Sequence, residues 1–173
     1  MDSKKKRGKQ EGSSDPQDNI MKKMKIDYEI AQFSAALERI DQESRFGLKS
    51  HDELAEMTGK AMVAMWGAAD AYEGEVGGDI NLIRDAQRSL RFATDRIFSQ
   101  CAYHRALTWP RGYQGDYEML EFHYLNEPGS QGVGHYLEHY LLKCALAVAV
   151  RERKDLLKDI LRREMAARKN PSV

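Results

Sequence analysis

From Ile20 onward the apolar positions of the chain recur at helical spacing. Met24, Tyr28, Ala31 and Ala35 fall on one line, and Ile30, Phe33, Leu37 and Ile40 on the adjacent one. This predicts a first helix that runs to about Phe46 and stops at Gly47. Ser50 followed by Glu53 has the spacing of a capping box, and Leu54, Met57, Ala61, Met65 and Ala68 then mark a second helix ending near Gly74. Its methionines read as core filling. Beyond Gly77-Gly78, the positions Ile83, Ala86, Leu90, Ala93 and Ile97 trace the seam of a third helix, whose other face carries Arg84, Arg88, Arg91 and Arg96 and reads as solvated.

The pattern breaks at Trp109-Pro110, and Trp109 to Asp116 reads as a loop with two glycines and a proline. Asp116 is placed to cap a short helix from about Tyr117 to Leu125. After the turn Asn126-Glu127-Pro128-Gly129, one long helix is predicted over 133–168, with Leu137, Leu141, Cys144, Val148, Leu156 and Ile160 inward. The expectation is an all-α bundle of about four to five helices. It divides into a disordered basic tail (1–18) and a helical domain (19–170). Within the latter lie the N-terminal helices (19–105), the loop and short helix (106–132) and the long helix (133–168). Composition agrees with helix: Val, Ile and Thr number 17 against 18 Ala, and no proline stands between Pro16 and Pro110.

Charge changes the picture only by exclusion. Twenty-seven Lys and Arg balance 27 Asp and Glu, so no global field draws the chain to nucleic acid or an anionic membrane. The tetrad Lys4, Lys5, Lys6 and Arg7 has the form of a nuclear-import or nucleic-acid tag, but solubilising ends of this kind are commoner. The longest apolar run, Cys144 to Val150, is far too short for a membrane span, and the N-terminus is charged where a signal peptide is apolar. Cys101 and Cys144 stand apart with no CxxC spacing, which predicts reduced thiols and a cytoplasmic protein.

Three segments offer candidate chemistry. His135-Tyr136-Leu137-Glu138-His139 is a literal HxxEH, the inverted zinc-protease motif, and two histidines four apart face one side of a helix. A catalytic zinc needs a third protein ligand, and no second motif picks one out, so no metal is assigned. Glu138 alone reads as an ordinary helix-surface residue. Gly129-Ser130-Gln131-Gly132-Val133-Gly134 follows a turn and not a strand, fails the context of a dinucleotide loop, and reads as a flexible linker. No serine sits in a GxSxG elbow and neither cysteine has a histidine partner. The loop Pro110 to Asp116 is the most informative segment. Gly112 and Gly115 open backbone conformations closed to other residues, Arg111 offers a planar donor fork, Tyr113 an aromatic face, and Asp116 an acceptor. By its residues alone it is equally a ligand site or a structural corner in which Trp109 and Tyr113 pack and Arg111 pairs with Asp116.

Pro110-Arg111-Gly112-Tyr113-Gln114-Gly115-Asp116-Tyr117-Glu118-Met119-Leu120, continuing to Tyr124 and Asn126-Glu127-Pro128, resembles the PRGYAGD segment of a bacterial class I S-adenosylmethionine-dependent methyltransferase family. That family includes enzymes making 3-hydroxypalmitic acid methyl ester. Ala149-Val150-Arg151-Glu152-Arg153 resembles its AVRNR segment. Gln114 stands where alanine is usual and Glu152 where asparagine is usual. The resemblance covers about a third of the chain, roughly Tyr103 to Leu161. It implies an N-terminal helical lid that precedes a Rossmann-like domain, of which residues 171–173 would be the start and the rest is missing here. It further implies that Arg111, Gly112, Tyr113, Gly115 and Asp116 face the cofactor S-adenosylmethionine, and that Arg111, Tyr113 and Arg151 face the substrate, a hydroxy fatty acid or other small carboxylate. The cofactor would bind only with the catalytic domain, and the chain alone would be inactive. An apolar face left bare without that domain predicts a homodimer as a further partner. The alternative expectation is a non-catalytic helical module that binds a protein partner or a small amphipathic ligand between its helices.

Overall fold

A computed structural model of the chain describes residues 16–113 and 115–167. Seven helices and no strand occur among them: α1 (Pro16–Arg45), α2 (His51–Glu75), α3 (Ile80–Phe98), α4 (His104–Thr108), α5 (Tyr117–Leu125), α6 (Val133–Leu141) and α7 (Ala145–Ala167). The fold class is all-α. The tail expected over 1–18 lies outside the described residues except for its last three, which already belong to α1. Residues 171–173 also lie outside the described part.

Local signals set the helix ends. Gly47 takes φ +63° just after α1, a conformation that costs glycine little. The capping box forms as expected: Glu53 N–H donates to Ser50 Oγ at 3.3 Å, and Ser50 N–H donates to Glu53 Oε2 at 2.9 Å. Asp79 caps α3 by accepting from Asn81 and Leu82 N–H. Gly132, which precedes α6, has no side chain to cap with, and Asp41 of α1 substitutes for it by accepting from Val133 N–H at 3.4 Å.

The core gathers on α1, α2, α3 and α6, with Leu37, Ile40, Leu54, Ile97, Val133 and Leu137 at its centre. α1 packs on both α2 and α3, and α6 lies against all three. Of the two lines read on α1, the one through Ile30, Phe33, Leu37 and Ile40 is buried. The line through Met24 and Tyr28 is exposed, because the two neighbours of α1 occupy a single stripe of its surface. On α3, Ala86 and Ile97 are buried and Arg84, Arg88, Arg91 and Arg96 face outward.

The single helix expected over 133–168 is two helices. The backbone tightens after Leu141: Lys143 N–H bonds to Tyr140 O at 3.1 Å and Cys144 N–H to Leu141 O at 3.1 Å, which are three-residue turns, and α7 begins only at Ala145. Arg151 reaches back from α7 and donates to the freed Leu142 carbonyl at 3.0 Å. α7 then packs only on α5 among the pairings that carry weight. Leu156 and Ile160, expected inward, are therefore 60% and 44% exposed, together with Leu157, Leu161 and Met165.

Candidate functional site

The loop between α4 and α5 is built on one buried ion pair. Asp116 is 0% exposed, and it uses its carboxylate twice. It caps α5 by accepting from Met119 N–H at 3.1 Å, and it accepts a bidentate grip from Arg105, whose Nε lies 2.8 and 2.7 Å from the two oxygens. The hydrogen bonds from Arg105 hold the Asp116 carboxyl below the usual carboxylate range, against the cost of removing it from water. Arg105 also reaches Glu118 at 2.8 Å. The partner of Asp116 is thus Arg105, one turn before the loop. Arg111 stands 4.0 Å from Asp116 and instead donates to Glu118 and the Tyr117 hydroxyl, both at 3.1 Å, with its guanidinium over the Tyr117 ring.

Two of the described residues between α4 and α5 are left-handed. Trp109, at φ 49°, ends α4, and Gly112 takes φ +83°. A tryptophan in that region is uncommon and needs its surroundings to hold it there. Gly115 has neither a positive φ nor any atom within 4 Å of where a side chain would begin. Trp109 is 49% exposed and Tyr113 53%, so neither packs as a structural corner would require. Gln114 lies outside the described residues. Of the predicted site residues, Arg111, Gly112, Tyr113, Gly115 and Asp116 are thus contiguous on one loop. Arg151 is set apart as the cap of α6, with its second guanidinium nitrogen buried and unpartnered.

Beside the loop, Tyr103 stacks edge-on to Phe122 and His123, and its hydroxyl lies 3.3 Å from His123 Nε2, whose Nδ1 sits 2.6 Å from Met119 O. Burial pushes the Tyr103 phenol well up and the Cys101 thiol up to about 11, so neither is a nucleophile near neutrality.

The HxxEH segment divides in two. Glu138 is fully buried, contrary to the surface position expected for it, and no longer has the freedom of a catalytic base. It accepts from Ala102 N–H at 2.6 Å, Gly129 N–H at 2.7 Å, Ser130 N–H at 3.0 Å and the Ser130 hydroxyl at 2.5 Å. The stretch expected as a flexible linker is thereby pinned. Gly134 is required there, since a side chain would start 2.7 Å from the Gln100 carbonyl. His135 and His139 instead turn toward α2. His51, the first residue of that helix, has its ring 5.2 Å from His135 and 5.9 Å from His139. Burial, then the charges of Lys143, His51 and His135, hold His139 below the usual imidazole range. Sequence spacing could not reach His51, which comes from a different helix.

No helix among the described residues is long and apolar enough to cross a membrane. Comparison of the chain with protein-family models, with curated proteins and with solved structures finds no match.

Proposed function

We propose that the chain is the N-terminal helical lid and substrate-recognition domain of a cytoplasmic S-adenosylmethionine-dependent methyltransferase acting on a hydroxy fatty acid or other small carboxylate. Its partner is a Rossmann-like domain in cis. What supports this reading is that Asp116 is buried and gripped by Arg105 at the end of the loop, while Trp109, Tyr113 and Arg111 are exposed. A connector needs no such exposed aromatic pair on a fixed base. In this role Asp116 shapes the loop without touching ligand, Tyr113 stacks or hydrogen-bonds, and Arg111 exchanges Glu118 for the substrate carboxylate. Methyl transfer from a sulfonium carbon asks mainly for aligned reactants and excluded water, which a lid supplies without a titrating group. The bare apolar stripe of α7, from Leu156 to Met165, is a surface of the kind a second domain covers.

The test is calorimetric titration of S-adenosylmethionine into the 173-residue chain and into the same chain extended by its gene's continuation past Val173. No heat from the first and binding by the second is the expected result. Binding by the 173 residues alone overturns the reading. Silence from both favours the non-catalytic module. A cleft of about 530 Å³ lined by Phe33, Met62, Met65, Trp66, Leu90 and Arg91 gives that second reading its own observation, a pocket of the size and mixed character that takes a small amphipathic ligand.

A further inference from the structure

Resting on the second reading, a cleft that takes a small amphipathic ligand, and independently of the methyltransferase one, we propose that this cleft binds a free α-amino acid with a large apolar side chain. The carboxylate is held by Arg91 and the ammonium by Asp95, and the side chain enters the cleft. Its volume of about 530 Å³ lies within the range of small-molecule sites, about 300–1,000 Å³. Phe33, Met62 and Met65 line it and are buried members of the core. Thr94 is buried beside them, and its one donor is spent on Leu90 O at 2.8 Å. Among these buried residues a sugar or nucleotide body finds no free donor, whereas an apolar side chain leaves nothing unsatisfied. Trp66 also lines the cleft, with its ring edge-on to Tyr140 at 5.7 Å.

The charges of the lining select the head group. Gln87, Arg91 and Asp95 stand four residues apart and form one row along α3. All three are exposed, and among the described residues none of their side chains has a hydrogen bond or an ion pair. Their neighbours on the helix are committed: Arg88 to Asp85 and Arg96 to Glu38, both at 3.1 Å. Arg91 and Asp95 are separated by about 6 Å of helix axis and do not pair with each other. A lone carboxylate on Arg91 would meet Asp95, and a lone amine on Asp95 would meet Arg91. One carbon that carries both an ammonium and a carboxylate answers both, and the guanidinium offers the carboxylate a planar fork. Gln87, next in the row beyond Arg91, adds a neutral amide donor on the carboxylate side.

The test titrates L-phenylalanine into the full chain by calorimetry, beside N-acetyl-L-phenylalanine, which lacks the cation, and L-phenylalaninamide, which lacks the anion. One amino acid per chain is expected, with each analogue bound about tenfold or more weakly. Arg91→Gln and Asp95→Asn alter exposed side chains that have no partner to lose, so both should fold. Each should weaken L-phenylalanine by about the same factor, and Arg91→Gln should not weaken the amide further. In Trp109→Phe, where Trp66 is the one remaining tryptophan, L-phenylalanine should shift the indole emission. N-acetyl-L-phenylalanine bound as tightly as the amino acid overturns the proposal and leaves the cleft as a general amphipath site. Unchanged binding by Asp95→Asn overturns it in the same way. Heat from none of the three compounds overturns both the proposal and the reading it rests on.

Discussion

The two halves of this molecule are held by different means. In the bundle of α1, α2, α3 and α6, every member of the apolar cluster comes from those four helices, and they interlock at helical spacing. In the half that contains α4, the loop, α5 and α7, the buried anchors are a few scattered apolar residues (Cys101, Met119, Leu142 and Ala147) together with charges. Asp116 fixes the loop, and Glu138 ties both the segment after α3 and the segment before α6 to α6 itself. The bundle draws its stability from area removed from water. The other half draws its shape from polar groups that must all be satisfied at once. Shape held by a polar staple is specific but thinly supported.

The contrast is most sharply broken by Leu37→Ala, which opens a cavity at the centre of the bundle. It should cost about 3–5 kcal/mol in denaturant unfolding, with both halves lost together. Glu138→Gln comes next. An amide presents N–H where the site offers only donors, so at least one of the Ala102, Gly129 and Ser130 N–H groups loses its acceptor. A loss of about 2–4 kcal/mol is expected by urea titration. Acid should distinguish the halves more gently. Because Asp116 is held below its ordinary range, its contribution is complete above about pH 4–5 and is lost as pH falls through its folded value. Stability measured at pH 5 and pH 3 should therefore fall less in Asp116→Asn than in the wild type, and an equal fall would remove the ion pair from the account. The smallest effect belongs to Leu157→Glu, on the bare stripe of α7. Unfolding of the 173-residue chain should change by no more than about 0.5 kcal/mol, and a larger loss would mean that the stripe is already covered.

Sequence reading served the two halves unequally for the same physical reason. The seams of α1 and α3, the Ser50–Glu53 box, the stop at Gly47 and the Asp116 cap are local, and each is written within a few residues. The break at Leu142 was invisible because nothing punctuates the apolar run around it; its signature is Arg151, nine positions on, returning to a freed carbonyl. The corner reading of the loop pairs Asp116 with Arg111 because both lie within it, whereas the arginine that grips Asp116 sits in the preceding helix. Glu138 looked like a surface residue because a lone glutamate on a helix carries no pattern. What buries it is a pair of loops that only the tertiary fold brings together. The packing of His51 beside His135 and His139 carries no signal in the sequence, since the rings come from different helices.

Glu138 has one more consequence, in the timescale of amide exchange. Loop amides outside regular structure ordinarily trade their hydrogens with solvent through small local openings. Here the amides of Ala102, Gly129 and Ser130, from two loops far apart in the chain, all end on a single carboxylate. None can be released for long without loosening its companions at the shared acceptor. Their protection should rise and fall as one, so that two stretches with no regular structure of their own exchange with the cooperativity of a helix.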